Sequence, residues 1–193
     1  MKNKFIVLVL GCLLCANIVQ AQTEHLKFKG VPIDGTLAEY KQALIAKGFK
    51  HIYTKGGTSM LQGNFAGYPT CYVGIKTLES IDIVNCVMVM FPERDTWNLL
   101  YTDYSTLKSM LIQKYGEPFS VVENFNTSFP ISDDIDRMFN LRMDRCHYVC
   151  TFAVEEGSVE LSIYHDNNTC LVMLQYFDKQ NTEIIRSHAI DDL

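Results

Sequence analysis

The chain lacks a long apolar run, a basic cluster and a zinc-type cysteine pattern. Its one continuous apolar stretch, from Phe5 to Leu14, is shorter than the roughly 20 residues that a membrane-spanning helix needs, so no membrane span is expected. The 17 Lys and Arg residues are outnumbered by 22 Asp and Glu and form no basic run. Nucleic acid is therefore not an expected partner, because phosphate binding depends on clustered basic side chains.

The sequence also lacks a recognisable catalytic or cofactor-binding constellation. Cys146 and Cys150 have neither a second cysteine pair nor a downstream histidine pair to complete a zinc site. Asp133, Asp134 and Asp136 lack the glycine and bidentate Glu of a calcium loop, and the pattern favours a helix N-terminus instead. We therefore expect no metal, no cofactor and no enzymatic activity.

What is present begins with an export signal. Lys2 and Lys4 precede the apolar run, which leads to Val19-Gln20-Ala21, and this predicts a signal peptide over residues 1–21 with cleavage after Ala21. The product would be periplasmic or extracellular, with 15 basic residues against 22 acidic ones and a net charge of −7. A second interpretation is a lipoprotein anchored at Cys12, which follows Val9-Leu10-Gly11 as in a lipobox.

Five cysteines follow the predicted leader, and two of them leave a choice open. Cys71 and Cys86 lie on consecutive predicted strands and would face each other, as a disulfide requires, if the turn were centred on Leu78-Glu79. Strand alternation suggests another register, in which Val87 and Val89 point inward and Cys86 points outward. In that case the two thiols remain separate.

The first half of the chain predicts one helix followed by four strands. Thr36 and Glu39 can form a capping box, and Gly48 can end the helix in a left-handed conformation, so the helix covers about residues 37–47. Strands are predicted at about 50–55, 58–65, 70–76 and 82–91. Their short Gly- and Pro-containing connections allow only antiparallel neighbours, so the strands form a meander.

The second half repeats this order. A longer helix begins after Asp95 or Thr96 and stops before Gly116. Strands are predicted at about 119–125, 149–154, 159–164 and 171–177, and a C-terminal helix from about Thr182. We therefore predict an α+β protein with an antiparallel twisted sheet, built from two tandem helix-plus-β-meander repeats with helices on one face. Residues 22–118 would hold the first repeat with the following helix, and 119–193 the second.

The second repeat contains about 17 extra residues, which we place at about 124–145. They include a short helix capped by Ser132 or Asp133. Insertions in repeats usually map to loops on one face, often the binding face. The candidate partner surface comprises the apolar residues Phe129, Ile135, Met138, Phe139 and Met143. The alternative is that this stripe only docks the insertion on the sheet.

The order of the predicted helices and strands resembles that of a known group of proteins. A helix ending in Tyr115-Gly116-x-Pro118, then the strands Val159-x-Leu161-x-Ile163 and Leu171 to Tyr176 with Asp178, resembles small exported bacterial proteins of unknown function. Their α+β folds are similar to β-lactamase-inhibitor-protein domains, outer-membrane-assembly-lipoprotein domains or TATA-binding-protein-like repeats. The resemblance implies a non-enzymatic binding or inhibitor-like module for another exported or envelope protein. The alternative is an envelope-associated structural or assembly accessory.

Overall fold

The computed structural model describes residues 24–78, 80–128, 130–167 and 169–191. The predicted signal peptide and Phe129 lie outside these residues. The helices are α1 (Leu37–Ala46), α2 (Trp97–Tyr115), α3 (Asp134–Arg142) and α4 (Lys179–Asp191). The strands are β1 (Lys27–Phe28), β2 (Val31–Pro32), β3 (Lys50–Lys55), β4 (Thr58–Phe65), β5 (Tyr68–Thr77), β6 (Val84–Met90), β7 (Ser120–Phe125), β8 (Cys146–Val154), β9 (Gly157–Asp166) and β10 (Thr169–Asp178).

Eight strands form one antiparallel sheet in the order β3-β4-β5-β6-β10-β9-β8-β7. Each half of the chain supplies four consecutive strands, with its first strand at an outer edge and its fourth at the centre. β6 and β10 pair with each other and join the two halves. α1 precedes the first set and α2 precedes the second. The predicted α+β fold, an antiparallel sheet made from two tandem helix-plus-meander units, is confirmed.

Local capping chemistry explains α1. Glu39 donates its backbone N–H to the Thr36 hydroxyl, and Thr36 donates its own N–H to the Glu39 carboxylate at 3.0 Å. Past the other end, Gly48 has φ 94° and Phe49 donates its N–H back to the Leu44 carbonyl at 3.2 Å. This is a Schellman arrangement, which needs a residue that tolerates positive φ. Both predicted helix ends are confirmed.

The core lies on one face of the sheet, under α1, α2 and α3. The helix side chains in it are Tyr40 and Leu44 from α1, Trp97, Leu100, Tyr104, Leu107 and Leu111 from α2, and Met138 and Leu141 from α3. They pack on alternate residues of the strands, such as Val87 and Val89 of β6 and Leu174 and Tyr176 of β10. Within the described part of the chain, no helix has the length and apolar character needed to cross a membrane.

The N-terminal segment and α4 differ from expectation, and one residue explains both differences. Asp178 caps α4 by accepting the Asn181 N–H at 2.9 Å, so this helix begins at Lys179 rather than near Thr182. The same carboxylate accepts the Leu26 N–H at 2.9 Å. That contact holds the segment containing β1 and β2 against the sheet. These two-residue strands were not predicted because a partner 152 positions away secures them.

The extra residues of the second half form the connection between β7 and β8, residues 126–145. Gly56 and Gly57 alone make the equivalent connection between β3 and β4. Asp133 caps α3 by accepting the Asp136 N–H at 2.9 Å. Asp134 accepts the N–H of Asn98, in the first turn of α2, at 3.2 Å. These carboxylates therefore act as helix caps and fix α3 beside the start of α2.

Candidate binding surfaces

The residues predicted as a partner surface divide into two groups. Met138 is 4% exposed and belongs to the core, so its assignment to an accessible surface was wrong. Its side chain points from α3 toward the sheet and docks the insertion. Ile135, Phe139 and Met143 are 78%, 52% and 49% exposed. Their spacing of four residues places them in one stripe along the solvent side of α3.

A groove of about 320 Å³ runs between α3 and the start of α2. Apolar and polar side chains line it together: Asp95, Thr96, Asp134, Ile135, Met138, Phe139, Arg142 and Met143. The insertion therefore offers an exposed apolar stripe beside a partly polar groove. The docking interpretation holds for Met138, and the contact interpretation stays a prediction for the three exposed residues.

The sheet face opposite the core carries a second surface, which we call the open face. Two rows of directly paired residues cross all eight strands on this face. The first row is Lys50, Gln62, Tyr72, Met90, Met173, Ser162, Val149 and Val122. The second row is Tyr53, Met60, Gly74, Met88, Gln175, Glu160, Thr151 and Ser120.

The centre of the open face is apolar. We call its five side chains, Met60, Tyr72, Met88, Met90 and Met173, the methionine patch. Tyr72 is 45% exposed and the four methionines are partly exposed, so all five meet solvent. Polar side chains border the patch, because Gln62 pairs with Tyr72 and Gln175 pairs with Met88. The charged residues of both rows, Lys50 and Glu160, lie farther out. An apolar centre with a polar periphery is the usual pattern of a protein interface.

Sequence reasoning did not single out the methionine patch, although one signal for it was present. Val87 and Val89 were expected to point inward, and strand alternation then directs Met88 and Met90 outward. The sequence did not show that this outer side would remain accessible, because that depends on where the helices pack.

The alternative of a Cys71–Cys86 disulfide is wrong for this fold. Cys71 lies on the core face with Val73 and Ile75, whereas Cys86 pairs with Lys76, whose side chain points to the other face. Both cysteines are free thiols. Burial raises the pKa of each to about 11, which disfavours the reactive thiolate.

Among the histidines, His25 and His165 contact carboxylates and His51 contacts a hydroxyl. His165 Nε2 is 2.8 Å from Asp144 Oδ1, and His25 Nδ1 is 3.1 Å from Asp178 Oδ1. His147 lies on the face of β8 opposite Cys150, because side chains alternate along a strand. Among residues 24–78, 80–128, 130–167 and 169–191, no three His, Cys, Asp or Glu side chains are grouped so that they could hold a metal ion.

One charged cluster has a structural explanation. Asp103 of α2 is 8% exposed and accepts hydrogen bonds from Arg94 Nε at 2.6 Å and from the Tyr68 hydroxyl at 3.1 Å. Burial and the neighbouring Asp103 carboxylate raise the pKa of Tyr68 to about 12. The cluster joins α2 to the start of β5, and its charge is compensated within the fold.

Comparison with known proteins adds no further assignment: no family model, curated protein or solved structure matches this chain significantly. The resemblance to exported inhibitor-like and assembly-lipoprotein domains therefore stays a prediction.

Proposed function

We propose that this protein is an exported, non-enzymatic module that binds another exported or envelope protein through the methionine patch. The observation that carries the proposal is the accessible apolar centre of the open face, surrounded by polar residues. A uniformly charged open face would have argued against binding of this kind. Instead, five neighbouring apolar side chains from β4, β5, β6 and β10 meet solvent there.

The chemistry of the patch suits a protein partner. Methionine side chains are flexible and polarisable, so they adapt to the shape of an apposed surface. Tyr72 adds a large ring with a polar tip, a side chain enriched at interfaces. The strand backbones fix the positions of all five residues in the central part of the sheet, which lowers the entropic cost of binding.

The stripe on α3 is the second candidate contact surface. Its three exposed residues, Ile135, Phe139 and Met143, lie along the short helix α3 and not on a strand of the sheet. It supports the same general function through a different surface. The experiment below separates the two.

The test is cross-linking in cells that export the protein, with the captured partner identified by mass spectrometry and its yield compared among variants. Met90→Glu places a charge in the methionine patch, and Phe139→Glu places one on the α3 stripe. Met110→Glu is the matched control, because Met110 is 46% exposed on α2 and belongs to neither surface. Circular dichroism checks that each variant is folded.

We expect Met90→Glu to reduce capture of the same partner at least tenfold, as loss of a central interface contact does. Met110→Glu should leave capture unchanged. Selective loss in Phe139→Glu would move the binding surface to the insertion. Equal capture by all four proteins, or no specific partner, would show that the proposed function is wrong.

The location of the protein is part of the proposal and has its own test. Mass spectrometry of the processed protein should give an N-terminus at Gln22 if the signal peptide is removed after Ala21. A lipid-modified Cys12 would instead support the envelope-associated accessory.

A further inference from the structure

The two outer edges of the large sheet are unequal. β3 carries Lys50 and Lys55 at its ends, and its pairing with β4 shifts register between His51 and Tyr53. Lysines and bulges are common devices that prevent a sheet edge from pairing with another strand. β7 has no Lys, Arg or Pro, and its pairing with β8 is regular from Ser120 to Phe125. Only the β3 edge is protected in this way.

The single charge of β7 is directed inward. The Glu123 carboxylate accepts hydrogen bonds from the Tyr104 hydroxyl at 2.9 Å and from Lys108 Nζ at 2.6 Å. Both donors belong to α2, on the core side of the sheet. The charge is therefore neutralised within the subunit and places no unpaired carboxylate at the edge.

The free edge of β7 presents defined backbone groups. Asn126 donates its N–H to the Arg145 carbonyl at 2.7 Å, which fixes which residues of β7 bond toward β8. Because this direction alternates along an antiparallel strand, Val121 and Glu123 turn their N–H and C=O groups to the other side. No strand in the described ranges pairs with that side. Two donors and two acceptors therefore face outward.

The edge exposes apolar side chains among polar ones, and it is firmly anchored. Val121 and Val122 are 44% and 42% exposed, and the preceding Phe119 is 81% exposed. At the other end of the strand, the Phe125 ring packs on Trp97 with ring centroids 5.0 Å apart. The strand is thus held in an extended conformation before any partner arrives, which lowers the entropic cost of pairing.

We propose that β7 pairs antiparallel with β7 of a second copy of this chain, about a two-fold axis at Val122. In this register Val121 lies opposite the partner's Glu123, and the outward groups of the two strands form four backbone hydrogen bonds. Val122 faces the partner's Val122 in a non-hydrogen-bonded pair, where side chains approach most closely. An axis at Glu123 would instead place the two carboxylates directly opposite each other.

The unequal edges favour a closed dimer over a filament. Pairing β7 with itself uses the same surface on both copies, and the protected β3 edges then end a sheet of sixteen strands. The open faces of both copies lie on the same side of that sheet. The dimer does not depend on the function proposed for the methionine patch.

The test is sedimentation of the full chain, purified as the cell processes it, at roughly 1 to 500 μM, a range that spans micromolar dissociation constants. Val122→Lys sets two charges against each other at the axis. Val121→Pro removes an outward N–H without touching the β7–β8 hydrogen bonds. Tyr53→Lys is the matched control, because Tyr53 is 50% exposed on the opposite edge strand. Val122→Cys should cross-link across the axis, whereas Tyr53→Cys should not.

The expected result is a concentration-dependent dimer whose dissociation constant rises at least tenfold in Val122→Lys and Val121→Pro but not in Tyr53→Lys. Val122→Cys should give a disulfide-linked dimer under mild oxidation. A wild-type monomer at every concentration, or equal cross-linking at positions 53 and 122, would overturn the proposal. If the protein is monomeric and Val122→Lys abolishes capture of a different protein, the edge accepts a foreign strand and self-pairing is wrong.

Discussion

Met88 lies directly across from Gly74 in the β5–β6 pairing, and a Cβ atom at position 74 would stand 2.9 Å from Met88 Cγ. The missing side chain leaves room for Met88 to lie over β5 in the middle of the methionine patch. Gly74 therefore sets the shape of the open face, although it adds no side chain to it.

Gly74→Val should displace Met88 without unfolding the protein. Valine favours strands, so we expect the free energy of unfolding to change by less than about 1 kcal/mol. In protein labelled with ¹³C at the methionine methyls, the Met88 resonance should shift and its neighbour Met60 should follow, while Met110 should not move. An unchanged Met88 resonance would contradict the packing described for the patch.

Much of the fold follows from local sequence signals. The ends of α1 depend on Thr36, Glu39 and Gly48, which lie within or next to the helix, so their effect can be recognised without the rest of the chain. Strand alternation likewise assigned Val87 and Val89 to the core. Chemistry that acts over a few residues was predictable.

Features that depend on partners far away in the sequence were not predictable. The start of α4 and the strands β1 and β2 depend on Asp178, and the side of α3 that is buried depends on its contact with α2. The residues of the methionine patch were not singled out for the same reason, since their accessibility depends on the packing of every helix. Alternation along a strand shows which residues share a face of the sheet, but it does not show which face remains uncovered.

The native thiols should react slowly. Burial raises the pKa of Cys71 and Cys86 to about 11, and that of Cys146 to about 12. At pH 8 a thiol of pKa 11 is about one-thousandth ionised, whereas an ordinary cysteine is about one-quarter ionised. Alkylation of the folded protein should therefore be about two hundredfold slower than in urea, as measured by intact mass. Rapid labelling of any of these three residues in the native state would contradict their placement.

The capping box of α1 should make stability depend on pH. The pKa of Glu39 is lowered from 4.5, first because the Thr36 N–H donates to its carboxylate and second because the Thr36 hydroxyl does so. The folded state therefore binds this proton less readily than the unfolded state. The resulting stabilisation is present above pH 4.5 and is lost as the pH falls below it, through the lower folded pKa.

Glu39→Gln should unfold at a lower urea concentration than wild type at about pH 7, where the carboxylate is charged in both states. The difference should shrink as the pH is lowered through the range below 4.5. Urea midpoints measured across that range provide the check. Parallel pH profiles for the two proteins would show that the capping carboxylate is not coupled to folding.

Asp178 should be among the most sensitive positions in the fold. It is fully buried at the end of β10. Its carboxylate joins this strand to the N-terminal segment, through the Leu26 N–H and His25, and to α4, through the Asn181 N–H. Asp178→Ala should lower the free energy of unfolding by about 3 kcal/mol, because two buried donors lose a charged acceptor. Asp178→Asn keeps one acceptor oxygen and should cost less.

Urea unfolding gives the size of both effects, and hydrogen exchange gives their location. Exchange should accelerate most at the Leu26 and Asn181 amides in Asp178→Ala, because both lose their acceptor. Glu183→Ala, at an exposed position of α4, is the control and should change stability by no more than about 0.5 kcal/mol. If Asp178→Ala were as stable as this control, the contact between the N-terminal segment and α4 could not be what holds β1 and β2 in place.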